Sequence, residues 1–212
     1  MAVITYVDGD KKAHVPDGSI SGREEFHIER GAIHVFTNED AKAKWLSSSG
    51  YGVYYRRGLA VLAQIRREMP SLKQSEESLA HVIKAEESAG RKAVERLLAK
   101  HKVAPENSTQ FAKLMGKYVP ENDGSALSIY LYDGPAYTGS WRWLRHGLQI
   151  AKLSWIGFDD MTSSLRVFGG HAVLCQHTWW GGNRAWFGGS SYCEQDLAGR
   201  WWDNRASSVF SF

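Results

Sequence analysis

Ile129-Tyr-Leu-Tyr-Asp-Gly-Pro-Ala-Tyr-Thr-Gly-Ser-Trp-Arg-Trp143 returns 43 residues later as Ala172-Val-Leu-Cys-Gln-His-Thr-Trp-Trp-Gly-Gly-Asn-Arg-Ala-Trp186. Superposed, Tyr132 meets Cys175, Tyr137 meets Trp180, Gly139 meets Gly182 and Trp143 meets Trp186. Each copy closes on a second shared stretch, Phe158-Asp-Asp-Met-Thr-Ser-Ser-Leu-Arg-Val167 and Trp202-Asp-Asn-Arg-Ala-Ser-Ser-Val-Phe-Ser211. Asp160 and Asn204 are 44 apart, so the second copy carries one extra residue. Self-similarity at a fixed period means one structural unit used twice. The unit is β: residues 127–132 and 171–175 are strand-like, and Gly139 and Gly182 stand where an aromatic-flanked hairpin folds back and a Cβ is excluded. Four short strands per copy make a Greek key, and two copies packed face to face make a sandwich. The copies span about residues 127–169 and 171–212.

The pattern aromatic-x-x-x-x-aromatic-x-Gly, followed by Asn/Asp-Asn/Asp-x-x-Ser/Thr-Ser, resembles the βγ-crystallin superfamily, in particular its calcium-binding microbial members. The resemblance covers residues 126–212 and is specific because both halves carry both elements in the same order. It departs at Cys175, where an aromatic is usual. What it implies is a non-enzymatic structural or protective protein holding two calcium ions, with each motif lending a hydroxyl to the other's ion. One site would use the Asp133 carbonyl, the Met161 carbonyl, Asp160 and the Ser207 hydroxyl. The other would use the Gln176 carbonyl, the Arg205 carbonyl, Asn204 and the Ser163 hydroxyl. Asp159 and Asp203, at the first acidic position, would brace the turns.

Calcium is a hard cation that takes six to eight oxygens and accepts carboxylates, hydroxyls, carbonyls and water alike. Residues 159–164 and 203–208 offer such oxygens, although neither turn could encircle an ion alone. The same residues also suit turns in which Asp and Ser side chains satisfy the backbone. Few formal charges per site imply an affinity on the order of micromolar or weaker. Asn204 is neutral and Arg205 adds a cation, so the site built on Asp160 should be the tighter.

The rest of the chain reads differently. Eight of the nine tryptophans follow residue 125, and most Lys and Glu pairs precede it. The cluster Val119-Pro-Glu-Asn-Asp-Gly-Ser125 marks the transition. The expected fold class is therefore α+β: a helix-rich domain over 1–124 with short N-terminal strands, then the two-motif sandwich over 126–212. Residues 2–7 and the alternating runs Phe26-His-Ile-Glu-Arg-Gly-Ala-Ile-His-Val-Phe36 predict strands, with a hairpin at Arg30-Gly31. Thr37-Asn-Glu-Asp40 predicts a helix start running to about Leu46. Arg57 to Met69 predicts a helix that Pro70 ends. Ser75-Glu-Glu-Ser78 opens a longer one, with Leu79, Val82, Ile83, Ala93, Val94, Leu97 and Leu98 expected on one broad face and Gly90 weakening it. Ser108 to Tyr118 predicts a last helix with Phe111, Leu114 and Met115 inward.

Net charge is +3, from 26 basic and 23 acidic residues, too even a balance to indicate nucleic acid. No apolar run approaches the length of a membrane span, and the N-terminus lacks a secretory signal, so a cytoplasmic location is expected. Cys175 and Cys193, 18 apart, could be joined by a disulfide, but in a reducing compartment buried thiols are expected, with no zinc spacing around them. None of the eight histidines sits in a recognisable catalytic motif. His27 and His34 share a hairpin face, where alternation marks solvated positions. A reading of another class comes from the tryptophans. If Trp179, Trp180, Trp186 or Trp201 were exposed, they would suit a carbohydrate- or membrane-interacting module of lectin or toxin type.

Overall fold

The computed structural model describes residues 4–12, 25–29, 32–118, 128–145, 147–187, 192–194, 196–200 and 202–212. The Val119–Ser125 cluster, the Arg30-Gly31 turn, Trp201 and the Cys193 side chain lie outside them. The first copy supplies β5 (Ser128–Tyr132), β6 (Trp141–Arg145) and β7 (Ser164–Phe168). The second supplies β8 (Ala172–His177), β9 (Gly181–Phe187), β10 (Tyr192–Glu194) and β11 (Ser208–Ser211). They form two sheets that exchange a strand. β10 of the second copy pairs with β7 of the first, and Ile150 of the first bridges to Val209 of the second. This exchange is a double Greek key, and with the helices below it makes the chain α+β.

Side chains alternate across each strand. Ile129, Leu131, Leu144, Leu165 and Val167 of one sheet meet Leu174, Ala185, Phe187 and Val209 of the other in the inter-sheet core. The outward positions are apolar too, and β5, β7 and β11 are buried throughout. Such outer faces must be covered, and residues before the sandwich cover them.

Four strands come first: β1 (Ile4–Val7), β2 (Asp10–Lys12), β3 (Glu25–Glu29) and β4 (Ala32–Phe36). β3 and β4 pair antiparallel, and β3 lies parallel to β9, so the order β11-β8-β9-β3-β4-β1-β2 is a single seven-stranded sheet. Phe26, Ile28, Ile33 and Val35 join the inter-sheet core. His27 and His34 are cross-strand neighbours, and both are buried rather than solvated. Rings of Trp45, Tyr51 and Tyr55 crowd His27 at 5.0, 4.5 and 5.8 Å between centroids. Alternation set the face correctly here, but the helices that follow turn that face into an interior.

Helix α1 (Glu39–Ser48) starts where Asn38 Oδ1 accepts from the Ala41 amide at 2.8 Å, with Glu39 and Asp40 against the positive helix end. Helix α2 (Gly52–Gln74) begins earlier than expected and continues through Pro70. Pro70 is exposed, so water can satisfy the carbonyl that its missing N–H leaves open, and the helix continues to Gln74, where the Ser75 amide caps it on the Ser71 carbonyl at 3.2 Å. Helix α3 (Glu76–His101) follows after Ser75, and α4 (Ser108–Tyr118) begins beyond Asn107, whose Oδ1 accepts from the Gln110 amide.

The helices wrap the sandwich. Tyr55, Leu62 and Ile65 of α2 pack on Val173, Cys175, Trp186, Phe210 and Phe212, the outer face of one sheet. Ile83 of α3 reaches the inter-sheet core, and Val94 and Leu98 join Phe111, Leu114 and Met115 of α4 on Tyr130, Tyr132 and Phe168 of the other sheet. Two glycines allow the approach. A Cβ on Gly58 would stand under 3.0 Å from Trp186 and Phe212, and one on Gly90 would stand under 3.0 Å from Trp143. Trp143 and Trp186 are equivalent in the repeat, so each copy's tryptophan is seated by a glycine of a different helix.

Glycine to alanine in a helix interior ordinarily stabilises by about 1 kcal/mol. Gly58→Ala and Gly90→Ala should instead each destabilise by about 1–3 kcal/mol through overpacking. Urea unfolding of the two variants checks this, and a gain in stability at either position contradicts the packing. Burial also holds the phenols of Tyr54 and Tyr130 well above the ordinary tyrosine range, with Tyr51 and Tyr132 adding to it. Unfolded tyrosine loses its proton near pH 10 while these two keep theirs. Stability is therefore full below about pH 10 and falls as pH rises towards the folded values. Melting temperature measured between pH 8 and 11 should show this fall, shallower in Tyr54→Phe.

Candidate metal centre

The two acidic turns sit side by side, related by the symmetry of the repeat. The Asp160 amide donates to the Ala206 carbonyl at 2.9 Å, and the Asn204 amide donates to the Thr162 carbonyl at 3.1 Å. Asp160 and Asn204 both adopt positive φ, 48° and 51°, a region that Asp and Asn tolerate best among side-chain-bearing residues. Each turn is also tied to the start of its own hairpin, Ser163 N to Tyr132 O at 2.8 Å and Ser207 N to Cys175 O at 3.0 Å. Asp133 and Gln176 follow those two carbonyls directly in sequence.

The hydroxyls cross over. Ser207 Oγ donates to Asp160 Oδ1 at 3.1 Å, and Ser163 Oγ donates to Asn204 Oδ1 at 3.4 Å. Two oxygens that share one calcium at about 2.4 Å, with about 80–90° between them, stand about 3.1–3.4 Å apart. Both pairs therefore have the separation of neighbouring ligands. Among the described residues no group of three or more His, Cys, Asp and Glu side chains is positioned for a metal. A cation here would rest on one carboxylate or amide, a hydroxyl and main-chain carbonyls, a donor set that suits a hard cation and excludes a thiolate- or imidazole-bound one.

The remaining positions differ between the turns. Asp159 is exposed, whereas Asp203 is half-buried, with Oδ1 buried and without a hydrogen-bond partner and Oδ2 accepting from the Asn204 side-chain Nδ2 at 3.4 Å. Met161 is 38% exposed. The Arg205 guanidinium folds over the Trp202 ring, 5.5 Å from its centroid. The Asp133 carboxylate lies over Gly139, where a Cβ would collide with it.

The second serine of each motif does something the sequence did not disclose. Ser164 Oγ donates to the Gly134 carbonyl at 2.6 Å and accepts from the Tyr137 amide at 3.1 Å. Ser208 Oγ repeats this with the His177 carbonyl at 2.6 Å and the Trp180 amide at 3.0 Å. These bonds fix the corners in which Tyr137, Trp179 and Trp180 adopt positive φ. Adjacent residues in an extended chain point to opposite sides. One serine of each pair therefore faces the neighbouring turn and the other pins the corner, a division that period-two alternation could have revealed. Arg166 was also missed. It is fully buried, donates to the Tyr132 hydroxyl and the Pro105 carbonyl at 2.8 Å each, and stacks on Tyr137 and Phe111.

Trp180 and Trp186 are buried, which removes them as exposed stacking residues. Trp179 is half-buried, with Lys73 and Lys152 over its ring at 5.3 and 5.8 Å and Trp155 at its flank.

No protein-family model and no curated protein sequence matches the chain. Among solved structures, a βγ-crystallin domain from Flavobacterium johnsoniae is 28% identical at TM-score 0.33, covering 40% of this chain and 92% of that one. A βγ-crystallin from Ciona intestinalis is 20% identical at TM-score 0.36, covering 40% and 99%. Spherulin 3A from Physarum polycephalum is 21% identical at TM-score 0.34, covering 44% and 88%. Each of these matches spans about two-fifths of this chain, and residues 128–212 form the double Greek key described above. The helix-rich remainder is not assigned by these comparisons.

Ser164→Ala and Ser208→Ala should each cost about 1–3 kcal/mol, because each leaves a buried amide without its acceptor and a part-buried carbonyl without its donor. Ser163→Ala and Ser207→Ala, measured in chelator, should cost less than about 1 kcal/mol. Denaturant titrations of the four variants separate corner from turn; equal losses in all four would contradict the division.

Proposed function

We propose that this protein is a non-enzymatic calcium binder that uses two ions to staple its Greek keys together. The observation that carries the reading is the reciprocal crossing of oxygens, Ser207 onto Asp160 and Ser163 onto Asn204, at ligand-like separations. When bound, calcium would supply a shared positive charge that draws these oxygens, with the carbonyls of Asp133 and Met161 or of Gln176 and Arg205, into two shells.

The chain's own residues prepare for this. Positive φ at Asp160 and Asn204 turns each side chain toward the opposite motif, and the crossed amide bonds hold the two turns in register. Each serine hydroxyl would give up one modest hydrogen bond on binding. Asp160 brings a full charge where Asn204 brings a dipole, so the first site is the tighter. In this reading the helix-rich residues 1–124 serve as the cover that keeps the sandwich at 126–212 dry on its outer faces, and the role is structural or protective.

Calorimetric titration with calcium chloride tests the proposal. Wild type should bind two ions, Asp160→Asn should weaken the tighter step, and Ser163→Arg with Ser207→Arg should abolish both. Calcium at about 100 times its dissociation constant should add about 2.7 kcal/mol of stability. A titration without heat, together with a melting temperature indifferent to chelator, would sink the proposal.

A further inference from the structure

The charges of α2 are arranged unlike those of the next helix. In α3, Arg91 bonds Glu87 and Glu95 at 3.0 Å each, and α3 residues Glu76 and Glu86 pair with Lys152 and Arg145 of the sandwich. Helix α2 carries Arg56, Arg57, Arg66, Arg67 and Lys73 against one acid, Glu68, and Glu68 accepts from Gln64 at 3.0 Å. Its net charge is thus +4 in a chain of net +3, so the remaining residues sum to −1. No position three or four residues from any of the four arginines is acidic. All four are exposed, and none makes an ion pair among the described residues.

Arg56 and Arg67 occupy the side of α2 opposite Gly58, Leu62 and Ile65, which face the sheet, and Arg57 and Arg66 stand on its two flanks. The two pairs are ten residues apart, about 15 Å along the axis. Between and beside them stand the small Ala60 and Ala63 and two exposed apolar side chains, Val53 at 71% and Leu59 at 38%. Arginine offers a planar fork of donors that matches phosphate oxygens.

We infer that the outer face of α2 is a docking surface for an anionic lipid bilayer, with the arginines on head-group phosphates and Val53 and Leu59 at the head-group boundary. A bilayer is favoured over a nucleic-acid duplex by these two apolar side chains, which a phosphate–sugar backbone would leave unmatched. The attachment is to the surface only, since no described helix is long and apolar enough to cross a membrane.

Co-sedimentation of the full chain with vesicles tests this. Vesicles of phosphatidylcholine with about a third phosphatidylserine should retain the protein, and pure phosphatidylcholine should not. At about one kcal/mol per basic residue near such a surface, each Arg→Gln change should weaken partitioning about five-fold. Arg56→Gln with Arg67→Gln should therefore lose about 25-fold, while Arg56→Lys with Arg67→Lys keeps most binding. Raising salt to about 0.5 M should release the wild type. The positions are exposed, so the variants should keep the wild-type melting curve, which is measured alongside. Equal retention on neutral and anionic vesicles, no loss in the Gln pair, or tighter binding to duplex DNA than to the anionic vesicles overturns the inference.

Discussion

A two-sheet sandwich normally offers water the outer side of each sheet, and its strands alternate apolar with polar for that reason. Here the outer positions are Tyr130, Tyr132 and Phe168 on one sheet and Val173, Cys175, Trp186, Phe210 and Phe212 on the other, all buried. Most of the architecture follows from having to cover both faces. The helices are long because one continuous stretch passes from the outside of one sheet to the outside of the other, with Ser75 as the joint. The glycines at 58 and 90 let helical backbone come down onto indole rings that stand up from the sheets. Glycine's cost in a helix is recovered in contact area.

The two copies have diverged in matched pairs. Tyr132 and Arg166 of the first correspond to Cys175 and Phe210 of the second. In the first copy the phenol accepts from the guanidinium, which also reaches the Pro105 carbonyl between α3 and α4. In the second, a thiol and a phenyl ring occupy the same places with no charge to satisfy, and α2 packs over them. The small Cys175 is therefore a consequence of which helix lies above it. A buried arginine is tolerable because aromatic faces and polar oxygens surround it.

The duplication and the Greek-key architecture were legible in the sequence, because repeated motifs at a repeated spacing demand a repeated geometry. The helical stripes were legible too, with errors of a few residues at the ends and at Pro70. What escaped was everything decided by contact between the halves. The histidines on β3 and β4 sit as a solvated face would, and nothing nearby in sequence announces that Trp45 and Tyr51 will enclose His27. The strands of the first forty residues gave no sign that they would extend a sheet formed by the last forty. Ser164 and Ser208 looked like oxygen donors beside their neighbours, since residue type alone does not say to which side of a strand a hydroxyl points.

The parallel pairing of β3 with β9 has a bearing on how the chain comes into being. Strands β3 and β4 leave the ribosome with the whole helical stretch and most of the sandwich still to be synthesised. Until β9 arrives, β3 carries an unmatched row of amides and carbonyls beside apolar side chains, the arrangement on which foreign strands nucleate. Pairings so distant in sequence also form slowly. Newly made molecules thus pass through an interval of stickiness that the finished fold conceals, and the rate of translation relative to closure of that edge sets how many survive it.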